Sequence, residues 1–183
     1  TNAESYFEIA EKKVEKGQYQ DAIENYTKAI SIESKDPIYF LNRGVARQQL
    51  NDFEAAIDDY QMAIKIDSEF AAAYLNLGLV KQNHKGDIQD AINDYSKSIE
   101  LDHENAEAYY NRAVAKTQLS QYVEAILDYT KALEINITHV NSLFNRGIAK
   151  KEVGDLKGAY TDWKKAAELG DEEAAKLLEE HCE

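Results

Sequence analysis

An all-α fold is what this sequence predicts, an α-solenoid of five helix-turn-helix units followed by a C-terminal capping helix, and three observations predict it. A single Pro and eight Gly leave the chain nearly free of helix breakers, against abundant Ala, Leu, Ile, Glu and Lys. A small residue recurs with a period near 34, at Ala22, Ala56, Ala91, Ala125 and Ala159. Turn-forming residues fall at one phase of that period.

The composition supports a packed protein. With 44% hydrophobic residues among 183, the chain has enough apolar material for a core, which argues against disorder.

The period defines a helix pair. Its steps are 34, 35, 34 and 34, and twelve residues before each Ala, thirteen in the third case, stands a second small residue: Ala10, Gly44, Gly78, Ala113 or Gly147. Four residues after each Ala comes a ring, Tyr26, Tyr60, Tyr95, Tyr129 or Trp163, and three further on Ala29, Ala63, Ser98, Ala132 or Ala166. These spacings share one helical face. A bulky series, Tyr6, Phe40, Tyr74, Tyr109 and Leu143, lies on a preceding helix. Small residues let helices approach while rings fill the space beside them, and neither helix could bury its apolar face alone.

The turns are the third observation. Gly17, Asn51, Gly86, Ser120 and Gly154 stand between the two helices of each unit, where a tight turn is needed. Asp36-Pro37 opens the second unit as N-cap and first helical residue. The units are expected at residues 3–36, 37–70, 71–105, 106–139 and 140–173 of a single domain, 1–183. A capping helix over 171–181 follows, with Asp171 as N-cap and Ala174, Leu177 and Leu178 as its inward stripe.

Through Tyr74-x-x-Leu77-Gly78, Ala91-x-x-x-Tyr95 and Ala125-x-x-x-Tyr129-x-x-Ala132, the sequence resembles the tetratricopeptide repeat family over nearly its whole length. The resemblance implies a right-handed solenoid whose first helices line the concave side, and a protein-binding rather than a catalytic role. There are departures. The proline common at the end of such units is replaced by Ser34, Ser68, His103, Ile137 and Asp171, and one extra residue between Gly78 and Ala91 is expected to lengthen or bulge the third unit's first helix.

Charge narrows the partners. A formal charge of −13, from 34 acidic against 21 basic residues, repels phosphate backbones and anionic lipid, so neither nucleic acid nor membrane is expected. Cys182 is the only cysteine, which excludes an internal disulfide and a multi-thiolate zinc site. No apolar run reaches the roughly 18 to 20 residues of a membrane span, and Thr1–Glu15 is too charged for a signal peptide. A cytoplasmic location is expected, with allowance for a targeting segment removed upstream of Thr1-Asn2-Ala3, which reads as a cloning scar.

Catalytic chemistry has no foothold. There is no Gly-rich phosphate loop, no HExxH and no CxxC, and His84, His103, His139 and His181 are scattered, each reading as a solvated turn residue. Adjacent acids such as Asp58-Asp59 diverge by about 100° on a helix. No catalytic residue, metal or cofactor is expected.

The recurrent polar signal is an amide. Asn42, Asn76, Asn111 and Asn145 lie two residues before the small residue of their first helices, with Glu8 in the first unit. On the concave side these would form a ladder that meets a peptide backbone's N–H and C=O regardless of its side chains. With first helices about 10 Å apart and about 3.3 Å per extended residue, four rungs would cover roughly nine residues. Leu41, Leu75, Tyr110 and Phe144 precede the amides, and Val45, Leu79, Val114 and Ile148 follow them. These apolar stripes suit either core packing or a hydrophobic ligand.

Arg43, Arg112 and Arg146 follow the Asn series, with Leu77 as the exception, and Asp59, Asp94, Asp128 and Asp162 stand opposite in the second helices. Intra-unit ion pairs are expected, leaving Asp94 without its arginine. The basic cluster by which some family members hold acidic chaperone tails is missing: Phe7, Glu11, Ala72, Asn76, Glu107 and Asn141 occupy those places. A neutral groove with Gln48, Gln49, Gln82, Asn83 and Gln118 points to an extended neutral or apolar peptide, and the acidity to a basic protein partner. An architectural protein that self-associates through its terminal helix or convex face, as a homodimer or larger assembly, is the alternative.

Overall fold

The computed structural model describes residues 2–180, without the side chain of Glu180, so Thr1, His181, Cys182 and the end of the expected capping helix lie outside it. Every regular element among the described residues is helical. The chain divides into two compact units, Thr1–Asp87 and Ile88–Glu183.

In unit 1, α1 (Ala3–Glu15) pairs with α2 (Tyr19–Ile32), α3 (Pro37–Gln49) pairs with α4 (Phe53–Ile66), and α5 (Ala71–Val80) packs on α4. Asp36 caps α3 as expected, its Oδ1 accepting from Ile38 N at 2.9 Å with Pro37 in the first turn. After α5 the chain forms one turn of π-helix, Lys81–Lys85, ending at Gly86 with φ 70°. This is where the extra residue goes. The wider i→i+5 hydrogen bond, Gly86 N to Lys81 O, takes up one residue without displacing the turn glycine.

In unit 2, α6 (Ile88–Leu101) packs on α7 (Ala106–Gln118), which pairs with α8 (Tyr122–Ile135). α9 (Val140–Glu152) pairs with α10 (Leu156–Glu168), and α11 (Glu172–Glu180) packs on α10. Asp171 caps α11 through Oδ1 and Ala174 N at 2.8 Å. Ala174 is fully buried, and Leu177 and Leu178 pack partly buried against the cluster around Trp163. The helix turns its apolar stripe inward and leaves Glu172, Glu173 and Glu179 exposed.

The five turn residues read from the sequence all have left-handed backbone, Gly17 at φ 68°, Asn51 at 61°, Gly86 at 70°, Ser120 at 58° and Gly154 at 86°, and Gly170 before α11 joins them at 98°. Asn tolerates this region and Ser less so, which marks Ser120 as the strained member. The Ala series of the second helices and its rings are at most 1% exposed.

Close approach of paired helices is tight at α9. A Cβ added to Gly147 would fall 2.3 Å from Trp163 Nε1 and 2.6 Å from its Cδ1. The indole cannot retreat easily, being 1% exposed and donating from Nε1 to Phe144 O at 3.2 Å. Gly147→Ala is therefore expected to cost about 1–3 kcal/mol in urea unfolding followed by helical ellipticity. Adding Trp163→Tyr should recover part of that loss, because Ala faces Tyr in the Ala10/Tyr26 and Ala113/Tyr129 pairs. Additive losses in the double variant would contradict the steric account.

Candidate protein-binding surface

The arginine–aspartate pairs form as expected and are larger than expected. Arg43 Nη2 donates to Asp59 Oδ1 at 2.7 Å, Arg112 Nη2 to Asp128 Oδ1 at 2.7 Å, and Arg146 Nη2 to Asp162 Oδ1 at 2.6 Å. Each Nε donates to the same carboxylate, which makes the contacts bidentate. A second cation one helical turn later completes each site: Arg47, Lys116 and Lys150 reach the Oδ2 of the three acids at 2.8, 2.6 and 2.8 Å. Each arginine also reaches back to the preceding second helix, with Nη1 donating to Thr27, Ser96 or Thr130 at 3.1, 3.0 and 3.0 Å.

Neither the second cation nor the hydroxyl was read from the sequence, although both keep constant offsets: four residues after each arginine and sixteen before it. The three acids are almost fully buried, so these residues hold helices together rather than face a ligand. Asp94 lacks such an arginine but is engaged all the same, and its charge helps raise the Tyr95 hydroxyl's pKa, after burial as the larger cause.

The amides immediately precede the arginines, about 100° away round the first helices, and all four are partly buried. In unit 1, Asn42 of α3 makes no side-chain hydrogen bond among the described residues, while Asn76 of α5 donates to Ala72 O of its own helix at 2.8 Å. In unit 2, Asn111 of α7 likewise makes none, and Asn145 of α9 donates to the Tyr110 hydroxyl at 3.3 Å. Each bond uses one amide hydrogen and leaves the carbonyl oxygen to accept.

The apolar residues beside them are partly buried too, and much of their surface is core. Leu41 and Val45 pack against the cluster holding Tyr60 and Leu77. Tyr110 and Val114 pack around Tyr129, and the Tyr110 ring lies 6.0 Å from that of Tyr129 and 5.0 Å from that of His139. Phe144 and Ile148 pack on the cluster of Trp163. Leu75 and Leu79 are partly buried on α5.

Three expected groove residues have other work. Gln48 accepts from the Tyr60 hydroxyl at 2.8 Å, Gln82 is buried in the π turn, and Gln118 is engaged in an interaction of its own. His139 is a helix cap and not a solvated turn residue: its Nδ1 accepts from Ser142 N at 3.2 Å, at the start of α9.

Where α9 faces α11, the first-helix side of unit 2 opens into a cavity of about 370 Å³ floored by Phe144, Ile148, Trp163 and Leu177. Its rim carries Lys151 and Lys176 against Glu152 and Glu173, so the charges balance.

Paired helices, glycine-like turns and a small-residue register throughout the chain agree with the comparisons. A family model described as "TPR repeat" matches residues 10–51, 46–85 and 83–119, and one described as "Tetratricopeptide repeat" matches 106–139. The chain belongs to the tetratricopeptide repeat family. It is similar to a MamA protein of known crystal structure at 25% identity and TM-score 0.80, over 94% of each chain. It also shares the fold of YrrB, described as a TPR protein with an unusual peptide-binding site, at 18% identity and TM-score 0.78 over 96% of this chain and 90% of that one. In the APC/C hetero-tetramer Cut9–Hcn1 the match has 20% identity and TM-score 0.81, over 97% of this chain and 36% of the other. No curated protein matches. As a tetratricopeptide repeat protein, the chain is a protein–protein interaction scaffold. No helix among its described residues is long and apolar enough to cross a membrane.

Proposed function

We propose that this scaffold holds an extended peptide segment of neutral or apolar character against the first helices of unit 2. The observation that carries the reading is the juxtaposition on α9. A partly buried amide, Asn145, with its carbonyl oxygen unspent, directly follows Phe144, which lines an apolar cavity large enough for one or two ligand side chains. Asn111 is the free amide on the preceding first helix. Amides would take the ligand backbone and the cavity an apolar side chain, while the balanced rim gives no preference for charge. In unit 1, Asn42 and Asn76 hold the equivalent positions on α3 and α5.

A peptide selected from a random display library on the wild-type chain tests this. Asn111→Ala is expected to weaken its binding about tenfold, the loss of one or two backbone hydrogen bonds, with little change in melting temperature because Asn111 makes no internal hydrogen bond. Unchanged affinity, or a loss of stability matching the loss of affinity, would reject the reading.

A further inference from the structure

The fourth unit departs from the other four on the outer face of its second helix. Val123 and Leu127 of α8 are 61% and 66% exposed, and Ile137 just beyond the helix is 64% exposed. At the two helical positions the other units carry Gln20 and Glu24, Glu54 and Asp58, Gln89 and Asn93, and Lys157 and Thr161. The place of Ile137 is taken elsewhere by Ser34, Ser68, His103 and Asp171. Polar residues satisfy this fold at all three positions four times over, so folding does not require apolar ones in the fourth unit.

Ile137 lines a groove together with Thr130, which continues the helical face of Val123 and Leu127. At successive spacings of four and three, Val123, Leu127 and Thr130 lie along one face of α8, and Ile137 follows the end of the helix. Its C-terminal half walls a channel of about 610 Å³ between α8 and α10, with Leu133 and Leu143 among its apolar lining residues. The charges are unevenly satisfied. Arg146 and Asp162 hold each other, and Lys131 holds Glu134 at 2.6 Å. Lys164 and Lys165, on the α10 wall, form no ion pair among the described residues, and Glu168 is the one acid of the lining that is likewise unpaired there. Among the unpaired charges two cations thus stand against one acid, on a chain of net charge −13.

We propose that this channel, which neither Asn111 nor Asn145 lines, is a second docking surface for a partner segment that is amphipathic and acidic. Its apolar side chains cover Val123, Leu127 and Ile137, and its carboxylates meet Lys164 and Lys165. Apolar area supplies affinity, and the lysines select an acidic over a basic segment.

The probe is a fluorescent peptide of about 14 residues with leucines at helical i, i+3, i+4, i+7 spacing and glutamates elsewhere. Its controls are a version with lysines for glutamates and a scrambled one. Fluorescence polarisation should show saturable binding of the acidic amphipathic peptide, weakened by salt. Binding should fall at least tenfold both in Leu127→Ser and in a Lys164→Gln/Lys165→Gln variant. Both substitutions are outside the core, and the affinity of the display-selected peptide should be unchanged in each, which separates this surface from the amide site. Equal binding of the lysine or scrambled peptide, or loss with Asn111→Ala instead, would overturn the assignment. So would wild-type dimerisation in sedimentation that Leu127→Ser abolishes, because it would place a second copy in the channel.

Discussion

Between about pH 10 and pH 12 the protein is expected to lose its fold cooperatively, with tyrosine ionisation as the cause. Tyr26, Tyr60, Tyr95 and Tyr129 are buried to within 1% of full exclusion, and burial pushes all four hydroxyls above the ordinary value of 10. Tyr129 is pushed up to about 12, its hydrogen bond with Thr117 offsetting part of the rise, and the carboxylate of Glu11 adds to the effect at Tyr26. Below pH 10 both the folded and the unfolded chain keep these phenols protonated, so they leave stability independent of pH. Above it the unfolded chain ionises while the folded one resists, and stability falls until the folded value is passed. For Tyr129 alone the step from 10 to about 12 is worth roughly 3 kcal/mol, a large part of the 5–15 kcal/mol typical of a domain. Tyrosinate absorbance from these four should appear together with loss of helical ellipticity, and Tyr129→Phe should move the midpoint to higher pH. Complete tyrosine ionisation with helicity retained would refute this.

Asp128→Ala is expected to destabilise unit 2 by about 3–5 kcal/mol, since it leaves Arg112 and Lys116 partly buried without their shared carboxylate. Arg112 would keep only its bond to Ser96. Asp128→Asn should cost nearly as much, because it preserves shape but not charge. Replacing all three members by apolar residues of similar size should cost far less than the single substitution, as isolating a buried charge is worse than having none. Urea midpoints of the single and triple variants measure this, and a cost below about 1 kcal/mol for Asp128→Ala would show that the network adds little.

How much of this was legible beforehand depended on whether a feature repeats. Small residues, rings and left-handed turns were readable because every helix pair needs them at one phase, and the arginine–aspartate pairs because charge and spacing coincide. The extra residue before Gly86 announced a bulge, though not that a π turn would absorb it. The second cation and the hydroxyl were equally periodic, but Thr27, Ser96 and Thr130 look like ordinary exposed helix residues until the preceding helix is seen beside the arginine. Gln48 and His139 were misread because side-chain partners outside the helix, Tyr60 and the start of α9, decide their roles. The cavity beneath Phe144 and Ile148 could not be read at all, since it depends on how α11 settles against α10.

The backward reach of each arginine has an evolutionary corollary. Thr130 stands to Arg146 as Ser96 stands to Arg112, sixteen residues apart in each case, so the segment 106–139 ends in the acceptor that its own beginning requires. A gene duplication of that segment would give the new copy's arginine a hydroxyl already in place and return another to the helix that follows. Such an array can change its number of units without inventing a contact, and its ligand-facing residues are left free to diverge.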